Sequence, residues 1–478
     1  MTHLEHLLLR CVFPGFEGIH APDWVLRRAG EGLGGIVLFA RNVETPEQLA
    51  ALNAQLHAAR PELLVAVDEE GGDVTRLEAR TGSSYPGNLA LGVADDVDLT
   101  RDVAAAMGAR LAAAGVDLNL APVADVNTNP QNPIIGVRSF GSDAKAAARH
   151  VAAWIEGMQA AGVAACAKHF PGHGDTSIDS HLALPVVDED PHVRALEPFV
   201  SAIASDVRAI MSAHIVVRDL DTEPATSSPR LMTGVLRDEL GFDGVAITDG
   251  LEMRGFTPDG DVGAGAVRAL RAGCDALCVG GGLAGEATLD QIVRTVVAAI
   301  DEGRLGEARL REAASRVDTL AAWRAGRPKP APPRREVGLE AARRAVRADG
   351  DVRVAADVVV LRFGSPPSLA AGEVPWGMAD ALVRRGARVT AVEAGSAAAC
   401  DLAPLRQAGG RSLVLCVRDL HRQAGQAELL DRILSERPDA VVVEMGLPLC
   451  RPLRAAAYVA THGSARVCAE AAAEVLKP

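Results

Sequence analysis

Eight short apolar runs recur through the first two-thirds of the chain, at residues 11–16, 36–40, 63–68, 117–125, 164–169, 208–214, 244–249 and 275–280. Each has the length of a strand buried on both faces. Amphipathic stretches lie between them, such as residues 46–60, 99–114, 143–161, 190–205, 229–240 and 262–272. Gly115, Gly162, Gly241 and Gly273 stand just past four of these stretches. A helix often closes at such a point, in a left-handed conformation that a residue without Cβ adopts freely. Eight strand–helix units in series are what a (β/α)8 barrel requires. A doubly wound open sheet uses the same alternation, but no G-x-G-x-x-G opens the series. The expected fold is α/β, a (β/α)8 TIM-type barrel followed by a smaller α/β domain.

The length agrees, since 478 residues exceed what one ordinary core organises. Four prolines fall within residues 324–335 and cannot continue a helix. The expected boundaries are a barrel over 1–323, a Pro-rich linker over 324–337 and an α/β domain over 338–478. Strand patterns at 357–363, 387–392, 412–417 and 440–444 support the last of these.

The net charge of −13 comes without any basic tract, so nucleic acid is not an expected partner. No apolar span is long enough for a membrane, and Glu5 and Arg10 break the first apolar run. A cytoplasmic location is expected. Eight cysteines without paired spacings read as free thiols of a reducing compartment. Cys274 and Cys278 are four apart but have no further ligand nearby, so neither metal nor cofactor is expected.

A barrel gathers its function where strands end. Ionisable residues stand there in five successive runs: Asp68, Asp125, Lys168 with His169, His214, and Asp249. Charges are rarely buried without partners, so the five ends suggest one polar pocket. The fifth run continues into K-H-F-P-G-H-G-D-T-S-I-D-S-H, from Lys168 to His181.

Asp249 follows a strongly apolar run. It could be a nucleophile, a ligand to a cationic group or a buried structural acid paired with Lys168 or Arg138. Asp179 and His181 are two apart, so in an extended segment they point the same way. A carboxylate beside an imidazole selects its tautomer and stabilises its charged form, which suits general acid and base work. The plainer reading is a loop histidine bonded to its neighbour. His173 and Asp175 would shape the Gly-rich turn, and His214 would form pocket wall in contact with substrate. The spacing of His169, His173, Asp175 and His214 matches no zinc signature.

The Lys168–His181 segment resembles the signature loop of glycoside hydrolase family 3, in its bacterial β-N-acetylglucosaminidase form. V-D-E-E-G-G-D-V-T-R (67–76), A-P-V-A-D-V-N-T-N-P-Q-N-P-I-I-G-V-R-S-F-G (121–141), I-M-S-A-H-I (210–215) and the run ending G-V-A-I-T-D (224–249) agree in order. The resemblance implies that Asp249 is the nucleophile of a retaining mechanism and His181 its acid/base, with Asp179 as partner. It implies that Asp68, Arg76, Arg138, Lys168 and His169 hold a non-reducing-end N-acetylglucosamine. It also implies a small carbohydrate substrate from cell-wall fragments. The chain departs from the family pattern at Gly250, where a second Asp is common, and at Glu69 and Asp73, where Gln and Arg are frequent. In the family's β-glucosidase branch a C-terminal residue can supply the acid/base, but the Asp179–His181 pair fills that role here, and Glu444 reads as structural.

A phosphorylase using inorganic phosphate is the neighbouring reading, because a neutral histidine lets an anion approach. A non-catalytic sugar-binding protein on the same scaffold is the reading from another class.

Overall fold

The computed structural model describes residues 2–188, 190–282, 285–326, 334, 336–365, 370–394 and 409–477. Most of the expected linker therefore lies outside the described residues. The chain forms two compact units. The first comprises Met1–Glu69, Thr100–Ile135 and Ser142–Arg334. The second comprises Glu70–Leu99, Gly136–Gly141 and Arg335–Pro478. Where the sequence suggested one boundary at 324–337, two earlier segments also group with the C-terminal part.

The first unit is the barrel. Its strands are β1 (Val12–Pro14), β2 (Gly35–Leu38), β3 (Leu64–Val67), β4 (Leu118–Asn119), β5 (Ala164–Phe170), β6 (Ala209–Ser212), β7 (Val245–Thr248) and β8 (Leu277–Val279). Strands β2 to β7 form one parallel sheet in chain order. The pair β8–β1 joins it through a parallel bridge between Ile247 and Ala276. At the remaining seam Gly34 N–H donates to the Leu9 carbonyl. Side chains are excluded there, because a Cβ on Gly35 would lie 2.2 Å from the Phe13 ring.

All eight expected strands are present, each shorter than its apolar run except β5, which runs one residue longer. The fourth is shortest because Pro122 has no N–H and interrupts the ladder. The chain still follows β5, through Cys166 N–H to Ala121 O and Ala124 N–H to Lys168 O. The expected helix over 190–205 is likewise reduced to a turn at Pro191–Val193 and a helix at Glu197–Ala204. Pro198 fits only in the first turn of such a helix. Elsewhere local signals hold: Asp143 and Asp261 cap their helices by accepting from Ala146 N and Ala264 N. All four closing glycines have positive φ.

Side chains alternate along each strand, so every second residue enters the barrel. Leu64, Ala66, Ala164, Cys166, Val245 and Ile247 share one buried cluster with Phe13, Val37, Leu118, Ala209, Met211 and Cys278. Helix Glu307–Ala325 adds Val317 and Leu320 to it. The same period carries three of these rows on to Asp68, Lys168 and Asp249. The interior packing thus fixes which residues stand at the C-terminal mouth.

The second unit holds a six-stranded sheet. Its strands are β9 (Arg347–Asp349), β10 (Asp357–Phe363), β11 (Arg388–Ala394), β12 (Ser412–Val417), β13 (Val441–Glu444) and β14 (Ala457–Ala460). The order is β9-β14-β13-β12-β10-β11, parallel except for β9 against β14. Val359, Leu361 and Phe363 pack on one face with helix Ala424–Glu436, while Val358 and Val360 pack on the other with helix Arg466–Leu476. Asp73 is tied in by Arg418 and by Ser464, whose N–H and hydroxyl donate to it at 3.0 and 2.7 Å. These bonds explain why Glu70–Leu99 groups with the C-terminal chain. They also give the unusual Asp73 a compensating arginine.

Among the described residues no helix is long and apolar enough to cross a membrane. The seven described cysteines are all free, and six are buried.

Candidate active site

Lys168 and Asp68, at the ends of two inward rows, meet at 2.7 Å. Only 2% of the lysine side chain is exposed, so its charge is matched where it stands. His169 is held on the other side of β5. Its Nδ1 lies 2.7 Å from Asp125 Oδ2, and its backbone N–H donates to Asp125 Oδ1 at 3.2 Å. An acidic partner on Nδ1 fixes that position as the N–H and leaves Nε2 as the ring's other polar atom. Asp125 is fully buried and also accepts from His173 N–H at 2.6 Å. It is a positioning carboxylate that the sequence placed among the pocket's strand ends without giving it a task.

Asp249 follows β7. Its Oδ1 accepts from Gly250 N–H at 2.8 Å, while Oδ2 has no hydrogen-bond partner among the described residues. Burial pushes this carboxyl up, but the fields of His169, His214 and His181 and the Gly250 amide outweigh it and bring it to about 2. The fields of three imidazoles, from β5, its following loop and the end of β6, thus keep this carboxylate ionised at neutral pH.

His214 is spent on the protein. Its Nε2 donates to the Gly250 carbonyl at 3.0 Å, and its Nδ1 lies 2.8 Å from the Thr226 hydroxyl. Its ring stacks on Phe256 with centroids 4.6 Å apart. Burial lowers its pKa. The expected contact with substrate thus becomes a wall that anchors the peptide after Asp249, because neither ring nitrogen is left for a sugar hydroxyl. Thr226, which the sequence did not flag, orients it.

On the loop, His181 Nδ1 lies 2.7 Å from Asp179 Oδ1, which also accepts His181 N–H at 2.9 Å. Burial raises the Asp179 carboxyl, and its bonds to His181 outweigh this and lower it. The histidine is about one-third exposed. With Nδ1 committed to Asp179, Nε2 is the nitrogen that can exchange a proton with a ligand.

Arg76 and Arg138 belong to the second unit. Arg138 makes a two-pronged bond to Glu70, at 2.9 and 2.8 Å. Arg76 donates to the carbonyls of Ala370 and Ala371 at 2.8 and 3.4 Å. Glu70 is a partner that the sequence does not mark; the acid it offers for Arg138 is Asp249.

Glu444, last in β13, accepts from the backbone N–H groups of Asp419, Leu420 and Gly446 at 2.8, 3.3 and 2.8 Å. Both its oxygens are committed to holding loops. Among the described residues no group of three His, Cys, Asp or Glu side chains stands ready to hold a metal ion.

The barrel mouth thus combines an ionised acid on a strand end, a carboxylate-backed imidazole on the neighbouring loop, and a paired lysine and aspartate. Residues 25–320 match the glycosyl hydrolase family 3 N-terminal domain. The chain belongs to glycosyl hydrolase family 3. It is similar to the β-hexosaminidases of Methylococcus capsulatus, 39% identical over 52% of this chain and 75% of that one, and Pseudomonas aeruginosa, 41% identical over 51% and 74%. The match to β-hexosaminidase A of Pseudoalteromonas piscicida, 39% identical over 47% of this chain, spans only 42% of that longer relative. Among solved structures it resembles a family 3 β-N-acetylglucosaminidase from Paenibacillus, with a TM-score of 0.89, 31% identity and coverage of 100% of this chain and 97% of that one. Family 3 is a family of glycoside hydrolases, and the similarity to the Paenibacillus structure extends over the whole of this chain.

Proposed function

We propose that this protein is a retaining exo-β-N-acetylglucosaminidase that releases N-acetylglucosamine from the non-reducing end of its substrate. The observation that carries the reading is Asp249, ionised, with one oxygen free and three imidazoles around it. Its carboxylate attacks the anomeric carbon while His181 Nε2–H protonates the departing oxygen, giving a glycosyl-enzyme ester. The neutral imidazole then takes a proton from water as that water attacks the same carbon, and Asp249 leaves. Two displacements at one carbon retain its configuration. Asp179 stabilises the charged imidazole before the first step and after the second. Asp68, Lys168 and His169 hold the sugar, with His214 as wall. For Arg76 and Arg138 the sugar-binding role rests on the resemblance alone.

A chromogenic β-N-acetylglucosaminide tests the reading. Turnover with β-configured first product supports it, and no turnover on any N-acetylglucosaminide refutes it. Binding without turnover would leave a sugar-binding protein. The phosphorylase alternative is favoured by the acid/base being an imidazole, which when neutral does not repel phosphate. Sugar 1-phosphate formed only in the presence of phosphate would establish it. Muropeptide fragments are the proposed natural substrates and the cytoplasm the proposed location, in line with the buried free thiols. Cell fractionation and a digest of such fragments test both.

A further inference from the structure

The loop carrying Asp179 and His181 is built around a residue with no role in the mechanism above. His173 is 2% exposed, and both its ring nitrogens are engaged. Nδ1 lies 2.7 Å from Thr176 Oγ1 and Nε2 lies 3.0 Å from Ser180 Oγ. The tautomer follows from the surroundings. The Thr176 hydroxyl donates its one proton to the His173 carbonyl at 3.0 Å and accepts from Asn132 Nδ2 at 3.3 Å. It must therefore accept from His173 Nδ1–H, which leaves Nε2 bare. The Ser180 hydroxyl then donates to Nε2. Burial holds His173 neutral, with a pKa near 4, in keeping with a ring that donates once and accepts once.

Ser180 is the residue between Asp179 and His181. Its carbonyl accepts Gly255 N–H at 3.1 Å, where a Cβ on residue 255 would come within 2.7 Å. At the other end, His173 N–H is held by Asp125, the carboxylate that also orients His169. Asn132 Nδ2 fixes the His173 carbonyl at 2.8 Å. A continuous chain of hydrogen bonds thus runs from Asp125, at the sugar-holding histidine, through His173 to the residue that joins the two members of the proton-transfer pair.

We propose that His173 and Ser180 are positioning residues that set the aim of His181 Nε2 at the departing oxygen. The proposal rests on the reading of His181 as acid/base. His181→Ala, assayed on the methyl and dinitrophenyl substrates below, is the control for that reading: a first-step loss confined to the methyl substrate upholds it, and equal losses on both refute it separately from this inference.

The test uses the leaving group. Protonation by His181 matters for a poor leaving group such as methoxide and hardly at all for 2,4-dinitrophenolate. For Ser180→Ala and His173→Gln, kcat/KM on a methyl N-acetylglucosaminide should fall about 10-fold or more, part of the roughly 10²- to 10⁴-fold ascribed to a general acid. On the dinitrophenyl substrate kcat/KM should hold, because the first displacement needs no proton there. Added azide, which attacks without a base, should restore dinitrophenyl kcat. Ser180→Thr, which keeps the hydroxyl, should restore the methyl substrate. A merely structural role would lower all substrates alike. Equal losses across leaving groups, or full activity of Ser180→Ala on the methyl substrate, would overturn the proposal. If His173→Gln does not fold, the serine pair decides it alone.

Discussion

Asp249 and Glu444 read alike in the sequence, yet the protein treats them in opposite ways. Each is a carboxylate at the end of a buried parallel strand, in V-A-I-T-D-G and V-V-V-E-M-G. Asp249 belongs to the barrel, keeps one oxygen free and is surrounded by imidazoles that hold it near 2. Glu444 belongs to the second unit, gives both oxygens to backbone amides and is raised to about 7 by burial and by Asp419. Burial acts in the same direction on both. What differs is the neighbours: protonatable rings in one case, a second acid in the other. A strand-end carboxylate is thus left ionised with an open oxygen in one place and used as a loop clamp in another.

The largest expected contrast is in turnover. Asp249→Ala should lower kcat on the order of 10⁴-fold or more, while the variant keeps its melting temperature within a few degrees. Glu444→Gln should leave kcat/KM unchanged, and a comparable loss of turnover in a folded Glu444→Gln enzyme would end the distinction. The next effect concerns Asp125. Removing its charge frees His169 and the start of the loop together, so Asp125→Asn should lower kcat/KM about 10- to 100-fold, matching roughly 1.5–3 kcal/mol for bonds to a charged group. The loss should include a higher KM; an unchanged KM would mean that His169 does not hold the sugar.

For Glu444→Gln the cost should appear as stability. An amide NH2 would face a backbone N–H and leave it without an acceptor, costing about 1–3 kcal/mol in denaturant unfolding. The smallest and most diagnostic effects are in pH dependence. A carboxyl whose folded pKa is raised from 4.5 to about 7 stabilises fully below 4.5 and loses that contribution as pH rises through 7. A histidine whose folded pKa is lowered from 6.5 to about 4 does the reverse: its contribution is complete above 6.5 and is lost as pH falls through 4. Each slope is at most about 1.4 kcal/mol per pH unit. In melting curves from pH 4 to 8, stability should therefore fall less between pH 4.5 and 7 in Glu444→Gln and rise less between pH 4 and 6.5 in His173→Gln. Unchanged slopes would refute the assigned charge states.

The barrel was legible because its signals are local. Apolar runs of strand length, glycines past helix ends and polar residues after the runs can be read one segment at a time. The strand Ala457–Ala460 was not legible, since its run is Ala-rich and has no strong β-former except Tyr458 and Val459. The exposed strand Arg347–Asp349 has no apolar pattern at all. In the site, Asp249, Lys168, Asp68 and the Asp179–His181 pair could be named from position and resemblance. Asp125, Thr226, Ser180 and Glu70 could not be given their tasks, because each acts on a residue distant in the chain or across a loop. His214 looked like a substrate contact until both its nitrogens were traced to Thr226 and Gly250.

By itself the sequence determined the eight strand–helix units, the side of the barrel on which polar residues gather, and the residue types available there. Periodicity is enough for that, since alternation along a strand sends Leu64, Ala66 and Asp68 the same way whatever surrounds them. Only the tertiary structure decided which carboxylate keeps an oxygen free and which is used up, which histidine holds a wall, and where Glu70–Leu99 belongs. Those outcomes depend on fields and hydrogen bonds between segments tens or hundreds of residues apart. Such partners exist only once the chain has closed.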